Sequence, residues 1–472
     1  MKIKIFLAVL FSVTVIIFPS CDNFLDITPE GQVKRSEMLN TTDGIEDALY
    51  GVYAQLRRGE LYGMALGIYG IEILGQNMDC YGSDFVTNLG SYNWEYSQVR
   101  EWSEGVWTAM YNNISNVNSV LSADLVADAK NFPYNIYKGE ALALRAFMHF
   151  DLLRLFAPQY TLDTSVQGIP YQTTFSLHTP DFESMTANFE HILSDLLEAE
   201  ELLSEEGKYV NQTSFMTDRQ THFNLHAVRA ELARVYFTMG NNEKAAEYAK
   251  KVIEESPYQL KEKTEVLNDV AGVFSRKECV FGVYYADFYG NVSGLLQQQQ
   301  SYYSLTPRDD FMDSYNAEAD GLDYRWSAYF TAVETGGEIH YRLSKFTDIY
   351  ELNNIEGSRP TDLILGINII RIPEMYYIMA ECLLDSDIAT ATSYYNAVRQ
   401  HRGLEPLASD RKLTIELIVL ERLKEYFGEG LTFFNNKRLN LPMTSADGKT
   451  QFPPSNDIYV VPIPDSEYAN RY

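Results

Sequence analysis

Apolar residues recur at three- and four-residue intervals over much of the chain, the spacing of helices that bury one face. Ile45, Ala48, Leu49, Val52, Tyr53 and Leu56 form one such stripe, with Thr42 and Asp43 placed to cap its helix. Trp102, Val106, Trp107, Met110, Tyr111 and Ile114 form a second that continues to Leu121, and a third covers 137–156 and stops before Pro158. Between Gly63 and Ser97 the periodicity dissolves into glycines and aromatics, so this stretch is predicted to be an aromatic-rich loop. It is lost again over 279–365, where 280–285 and 340–343 read as strands.

An internal repeat organises the helices. Placing Tyr236 at the eleventh position of a 34-residue tetratricopeptide unit puts Leu232 at position seven, Ala233 at eight, Ala245 at twenty, Ala249 at twenty-four and Pro257 at thirty-two. Alanine at eight and twenty lets two antiparallel helices approach closely, and Gly240-Asn241-Asn242 supplies the turn. Residues 372–384 followed by Ala391, Tyr395 and Val398 repeat the logic, 137–156 with 182–203 form a third pair, and 415–427 with the helix after Gly430 form a fourth. Such pairs cannot bury their apolar faces alone and must stack. The predicted fold is therefore mainly α: about four tetratricopeptide-like pairs forming one scaffold, with an irregular, loop-rich ligand-binding half and a few short strands.

Composition narrows the function. A formal charge of −27 over 472 residues argues against a protein that grips nucleic acid. With 34 Tyr and 25 Phe, the aromatics exceed what helix packing needs, and Tyr suits surfaces that are both apolar and hydrogen-bonding. There is no phosphate loop, no Gly-x-Ser-x-Gly and no His-Glu-x-x-His, so no catalytic residue, cofactor or metal ligand is assigned and the protein is not expected to be an enzyme. Cys80, Cys279 and Cys382 form no Cys/His cluster, and Cys382 reads as a small buried residue.

Lys2 and Lys4 precede an uncharged run over 5–18 that is too short to span a bilayer, and Cys21 follows a small residue. This reads as a lipoprotein leader, with Cys21 acylated and the mature protein anchored to the membrane without crossing it. The organisation expected is a signal peptide over 1–20, a tether over 21–31, and a single domain over 32–472 carrying a non-repeat insert at about 271–365.

Four separated motifs carry a family resemblance. They are Cys21-Asp-Asn-Phe-Leu-Asp26 leading to Pro29; Glu140-Ala-Leu-Ala-Leu-Arg145 with Gly168-Ile-Pro-Tyr171; Arg371-Ile-Pro-Glu374 through Glu381, with Asn396, Arg399, Arg402 and Gly403; and Glu421 to Gly430 with the closing Pro462-Ile-Pro464. In this order they resemble the SusD/RagB family of outer-membrane nutrient-binding lipoproteins, across essentially the whole chain. The resemblance implies a cell-surface, lipid-anchored protein that captures an oligosaccharide and passes it to a SusC-like TonB-dependent transporter. Two alternatives stay open: an oligopeptide ligand, or a tetratricopeptide scaffold that binds only the transporter. Arg371 to Glu374 and Glu421 to Gly430 are expected to be buried ion-pairing elements of the scaffold. After Gly430, where the family motif often continues with an aromatic and an Asp, this chain reads Leu431-Thr-Phe-Phe-Asn-Asn-Lys-Arg438, a departure that bears on local packing.

Sugar rings offer a face of CH groups and a rim of hydroxyls, so their binders present flat aromatics beside amides. The first loop supplies Tyr81, Tyr92, Asn93, Trp94 and Tyr96, and the insert supplies Tyr285, Tyr289, Tyr302 and Tyr303 with the glutamines from Gln297 to Gln300. Members of the family use a Trp and an Asn from the first loop, which points to Trp94 and Asn93, here with Asn first. The expected site lies where the two loops meet; the competing reading is that these aromatics fill small cores of their own. Trp102, Trp107 and Trp326 are assigned to packing. The acidity favours a neutral or basic ligand.

Overall fold

The computed structural model describes residues 38–79, 83–123, 134–176, 178–209, 216–267, 275–297, 306–307, 314–315, 323–335, 337–346, 365–469 and 471. The leader, Cys21 and the tether lie outside them.

Long helices carry the chain from its first described residues. Helix α1 is Thr42–Leu56, and its cap is Thr41, whose hydroxyl accepts from Gly44 N at 3.1 Å, one residue earlier than the sequence reading placed it. The stretch expected to be continuous loop instead contains the short helix Gly70–Leu74 and α2, Asp84–Gly90, which Ser83 caps by accepting from Val86 N. Local capping outweighs the glycines here, a case of side-chain oxygens starting a helix that apolar periodicity does not announce. Helices α3 (Ser97–Leu121) and α4 (Tyr134–Phe156) follow, and α4 is buried on almost every face.

The helix pairs then succeed one another: α4 with α5 (Met185–Leu203), α6 (Leu225–Thr238) with α7 (Asn242–Glu255), α8 (Ile372–Cys382) with α9 (Ile388–His401), and α10 (Ile415–Glu425) with α11 (Thr432–Leu439). Neighbouring pairs pack through α5 on α6, α7 on α8 and α8 on α10. Leu232, Ala233, Ala245 and Ala249 are fully buried, so the small side chains that let α6 and α7 approach sit where the repeat register puts them. Gly240, at φ +75°, ends α6, and Asn241 caps α7 by accepting from Lys244 N at 3.1 Å.

Buried arginine forks tie the elements together. Arg145 on α4 donates to both oxygens of Asp195 on α5, each at 2.7 Å. Arg234 on α6 holds Glu374 on α8 at 2.7 and 2.6 Å, and Glu381 at the far end of α8 receives Arg422 from α10 and Arg438 from α11. A larger cluster surrounds Glu421 and Glu425. Arg325, Arg371, Arg399, Arg402 and Lys424 converge there, with Asp323, Glu278 and Glu429 as further carboxylates. The third and fourth sequence motifs thus meet as a desolvated charge network, because each buried guanidinium needs a fork-matched carboxylate.

The segment without repeats leaves and re-enters through a two-stranded antiparallel ladder of β1 (Cys279–Tyr284) and β4 (Gly366–Arg371), with Cys279 opposite Arg371. Between them β2 (Phe330–Thr335) pairs with β3 (Glu338–Leu343). Trp107 is buried and donates to Glu467 at 3.0 Å, whereas Trp102 and Trp326 are half-buried against the core. Cys279 and Cys382 are buried free thiols. No helix among the described residues is long and apolar enough to cross a membrane.

Candidate ligand-binding site

The first loop folds against the C-terminal segment. Gln76 and Tyr92 both take left-handed backbone, at φ 60° and 56°, and their side chains meet inside the turn. Tyr92 is buried; its hydroxyl donates to Leu74 O at 2.9 Å and accepts from Gln76 Nε2 at 3.0 Å, and Phe452 packs edge-on against its ring. Burial pushes its phenol pKa far up. Trp94 leans on Tyr92 and donates its Nε1–H to Asp457 O at 2.7 Å while remaining half-exposed. Asn93 is exposed and donates to Asn88 Oδ1 at 2.7 Å; Tyr96 is half-buried before α3.

The second set lies beyond β1. Tyr285 is half-buried, accepts from Asn291 and sits under the Arg57 guanidinium at 5.9 Å. Tyr289 is buried, with Phe288 edge-on against it, and Phe288 in turn meets Phe346. Tyr81, Tyr302, Tyr303 and Gln298 to Gln300 lie outside the described residues. The loops do meet at the backbone: Met78 pairs with Pro307 and Asp79 with Thr306 in an antiparallel bridge. No ring contact joins Trp94 to Tyr285 among the described residues. Tyr92 and Tyr289 are buried, Tyr92 under Phe452 of the C-terminal segment and Tyr289 beside Phe288, and so offer no open face to a ligand; Trp94, Asn93, Tyr96 and Tyr285 keep exposed surface.

A cleft opens beside Tyr92. Its volume is about 220 Å³, and it lies between residues 75–77, α10, α11 and residues 441–444. Gln76, Asn77, Thr432, Asn435 and Asn436 give it a polar rim, and Val419, Leu423 and Met443 an apolar wall. The Asn435 and Asn436 amides can donate and accept side by side, which suits adjacent hydroxyls, whereas the Gln76 and Asn77 amides are spent holding the rim together, and the apolar wall suits a CH face. The rim is held from below: Asn77 Nδ2 donates to Glu72 at 2.7 Å and Thr432 at 2.9 Å, and Gly430 N donates to the other Glu72 oxygen at 2.6 Å. Gly430 sits at φ +74°, and a Cβ there would stand 2.7 Å from Leu66 O, so only glycine allows this approach. Burial raises the Glu72 pKa to about 7 despite these donors.

No motif or spacing in the sequence marks this rim: Gln76 and Asn77 lie among aromatics, and Thr432, Asn435 and Asn436 fall in the departure after Gly430, whose adjacent pair of amides is the one local signal the chain carries for it. No group of three or more His, Cys, Asp or Glu able to hold a metal ion occurs among the described residues.

The SusD family model matches residues 190–470, more than half of the chain, and a SusD-like model described as starch-binding and associating with the outer membrane matches residues 23–237. The chain belongs to the SusD family. SusD-like protein P2 of Formosa agariphila is 25% identical over 95% of this chain and 94% of its own length. Among solved structures, a SusD superfamily protein of Bacteroides thetaiotaomicron superposes with a TM-score of 0.74 at 24% identity, covering 91% of this chain and 98% of its own. A laminarin-binding SusD-like protein superposes at 0.69 with 18% identity, again over 91% and 98%. These likenesses establish the SusD fold, with its helix pairs and short strands.

Proposed function

We propose that this SusD-family protein captures an oligosaccharide at the cell surface and hands it to a SusC-like TonB-dependent transporter, without catalysing a reaction. The observation that carries the reading is the amide-rimmed, apolar-walled cleft that Tyr92 adjoins through Gln76 and Met443, with the half-exposed Trp94 packed on the far side of Tyr92. The starch-binding description of the family model and the laminarin-binding relative support a saccharide as the ligand. The leader over 1–20 and acylation at Cys21 would hold the protein on the outer membrane, with residues 32–472 as its single domain. An oligopeptide remains the second reading, since amide rims also bind backbone groups.

Titration calorimetry of the full mature chain against neutral glycans, with laminarin and starch fragments first, and against mixed peptides tests both. Glycan binding that falls at least tenfold in Asn436→Ala and Trp94→Ala, with each variant still folding cooperatively and losing no more than about 1 kcal/mol of stability, supports the proposal. Peptide binding alone favours the second reading. Failure of every panel member while a barrel protein still co-purifies would leave only the scaffold role.

A further inference from the structure

Sharing Arg422 and Asn435 with the cleft is a second cavity, of about 50 Å³, between α4, α6, α8, α10 and α11, so any occupant is small. Apolar and aromatic side chains such as Tyr160, Phe189, Phe237 and Phe434 make most of its wall, and the charged groups set among them are Arg154, Arg234, Arg422, Lys437 and Arg438 against one carboxylate, Glu374.

The carboxylates facing these groups are fewer. Asp151 pairs with Arg154, Glu231 and Glu374 with Arg234, and Glu381 serves Arg422 and Arg438 together. Lys437 donates to the carbonyls of Arg154 and Ala157, each at 2.6 Å, and has no carboxylate partner among the described residues. Burial raises the Glu231 pKa to about 7, which thins the negative charge further near neutrality.

Three guanidinium nitrogens add a second, independent observation. Arg154 Nε, Arg422 Nη2 and Arg438 Nε are buried without a hydrogen-bond partner among the described residues. The Arg422 side chain is only 5% exposed. Geometry explains the shortfall. Arg422 and Arg438 lie over the Phe237 ring at 4.9 and 3.7 Å and each spends one arm on Glu381, so the remaining N–H groups have no acceptor. Leaving such a donor unpaired in an interior is costly, and a charged acceptor is the strongest remedy.

We propose that this cavity binds a small tetrahedral oxyanion of the sulfate or phosphate class, through the N–H groups of Arg422 and Arg438 with Lys437 supplying the compensating charge. The narrow space commits the site to a free ion and excludes a sulfated sugar ring. The inference is independent of the glycan reading. An anion there would also lift the Lys437 pKa, which burial, and then Arg154, depress to about 7.

The test uses the full mature chain in low-salt buffer. Sodium sulfate should raise Tm saturably by about 1–3 °C, beyond sodium chloride at matched ionic strength. Lys437→Met and Arg438→Gln should weaken the sulfate response at least tenfold in midpoint concentration. Because Arg438→Gln can fail to fold, wild-type crystals soaked in millimolar selenate give a readout that needs no variant. A selenium anomalous peak within hydrogen-bond distance of Arg422 or Arg438 supports the site. Water alone in the cavity, a sulfate shift equal to that of chloride, or a peak only at molar selenate with no Tm response, marking an adventitious ion only, would overturn it.

Discussion

The helix-pair scaffold and the loop half solve the burial of polar groups in opposite ways. In the scaffold, Arg371, Arg402 and Arg325 are almost wholly desolvated: Arg371 forks Glu429 and Arg402 forks Glu425 on other elements, and Arg325 forks the nearby Asp323 and reaches Glu421 on α10. In the first loop the polar groups are amides and phenols: Gln76 meets Tyr92 and Gly90 O, and Trp94 meets a backbone carbonyl. Charged forks fix one geometry and fail together when a partner is lost, whereas neutral contacts cost little individually and leave half-exposed faces. Substitution is therefore tolerated in the loop far better than in the scaffold, and four experiments press on this contrast.

The largest effect is expected in the scaffold. Glu425→Ala would remove one of the two carboxylates that Arg371 and Arg402 share, leaving Glu278 to face both buried guanidiniums, and should cost about 3–5 kcal/mol in urea unfolding. A loss below about 1 kcal/mol would dissolve the distinction between the two halves.

Next comes Glu72, the scaffold-style carboxylate that props up the loop-side rim. Its folded pKa of about 7 lies above the ordinary value, so the folded state binds the extra proton. Stability contributed by Glu72 is therefore full in acid and declines as pH rises from about 4.3 to about 7, by up to about 3 kcal/mol. Glu72→Gln should flatten that decline in unfolding curves recorded across this window; an unchanged slope assigns the pH dependence elsewhere, with Glu231 the first alternative since burial raises it to about 7 too.

Much of this division could be read from the chain. The repeat register located Ala233, Ala245 and Ala249, and the third and fourth motifs gave both ends of the Arg371–Glu425 pair, because fork-matched ions and close helix approaches demand particular residues. The loops were less legible. Tyr92 and Trp94 look alike in sequence, and only the fold shows that Gln76 and Phe452 cover one while the other keeps an open face. The cleft rim escaped because Asn77 and Asn436 are brought together by tertiary packing alone, without any local spacing that marks them as a group.

Two smaller effects would sharpen the loop side. Tyr92→Phe removes hydrogen bonds to Leu74 O and Gln76 and should cost about 1–2 kcal/mol while leaving glycan affinity unchanged in calorimetry. Trp94→Ala should lower stability by about 1 kcal/mol or less yet abolish most of the binding. Reversal of that pattern, with Tyr92 governing affinity, would move the ligand to the other side of the loop.

The ladder of β1 and β4 has a consequence for how such a protein diversifies. Glu278 and Arg371 stand at its base, bonded at 3.2 Å, with the charge network directly behind them. Whatever chain runs between Tyr284 and Gly366 is closed by this clasp, and closure entropy grows only logarithmically: doubling the length would cost about 0.6 kcal/mol. The stem thus works as a socket. Segments of very different length can be exchanged above it while the helices below keep their fold, so the length of this insert and the foldability of the scaffold can vary separately.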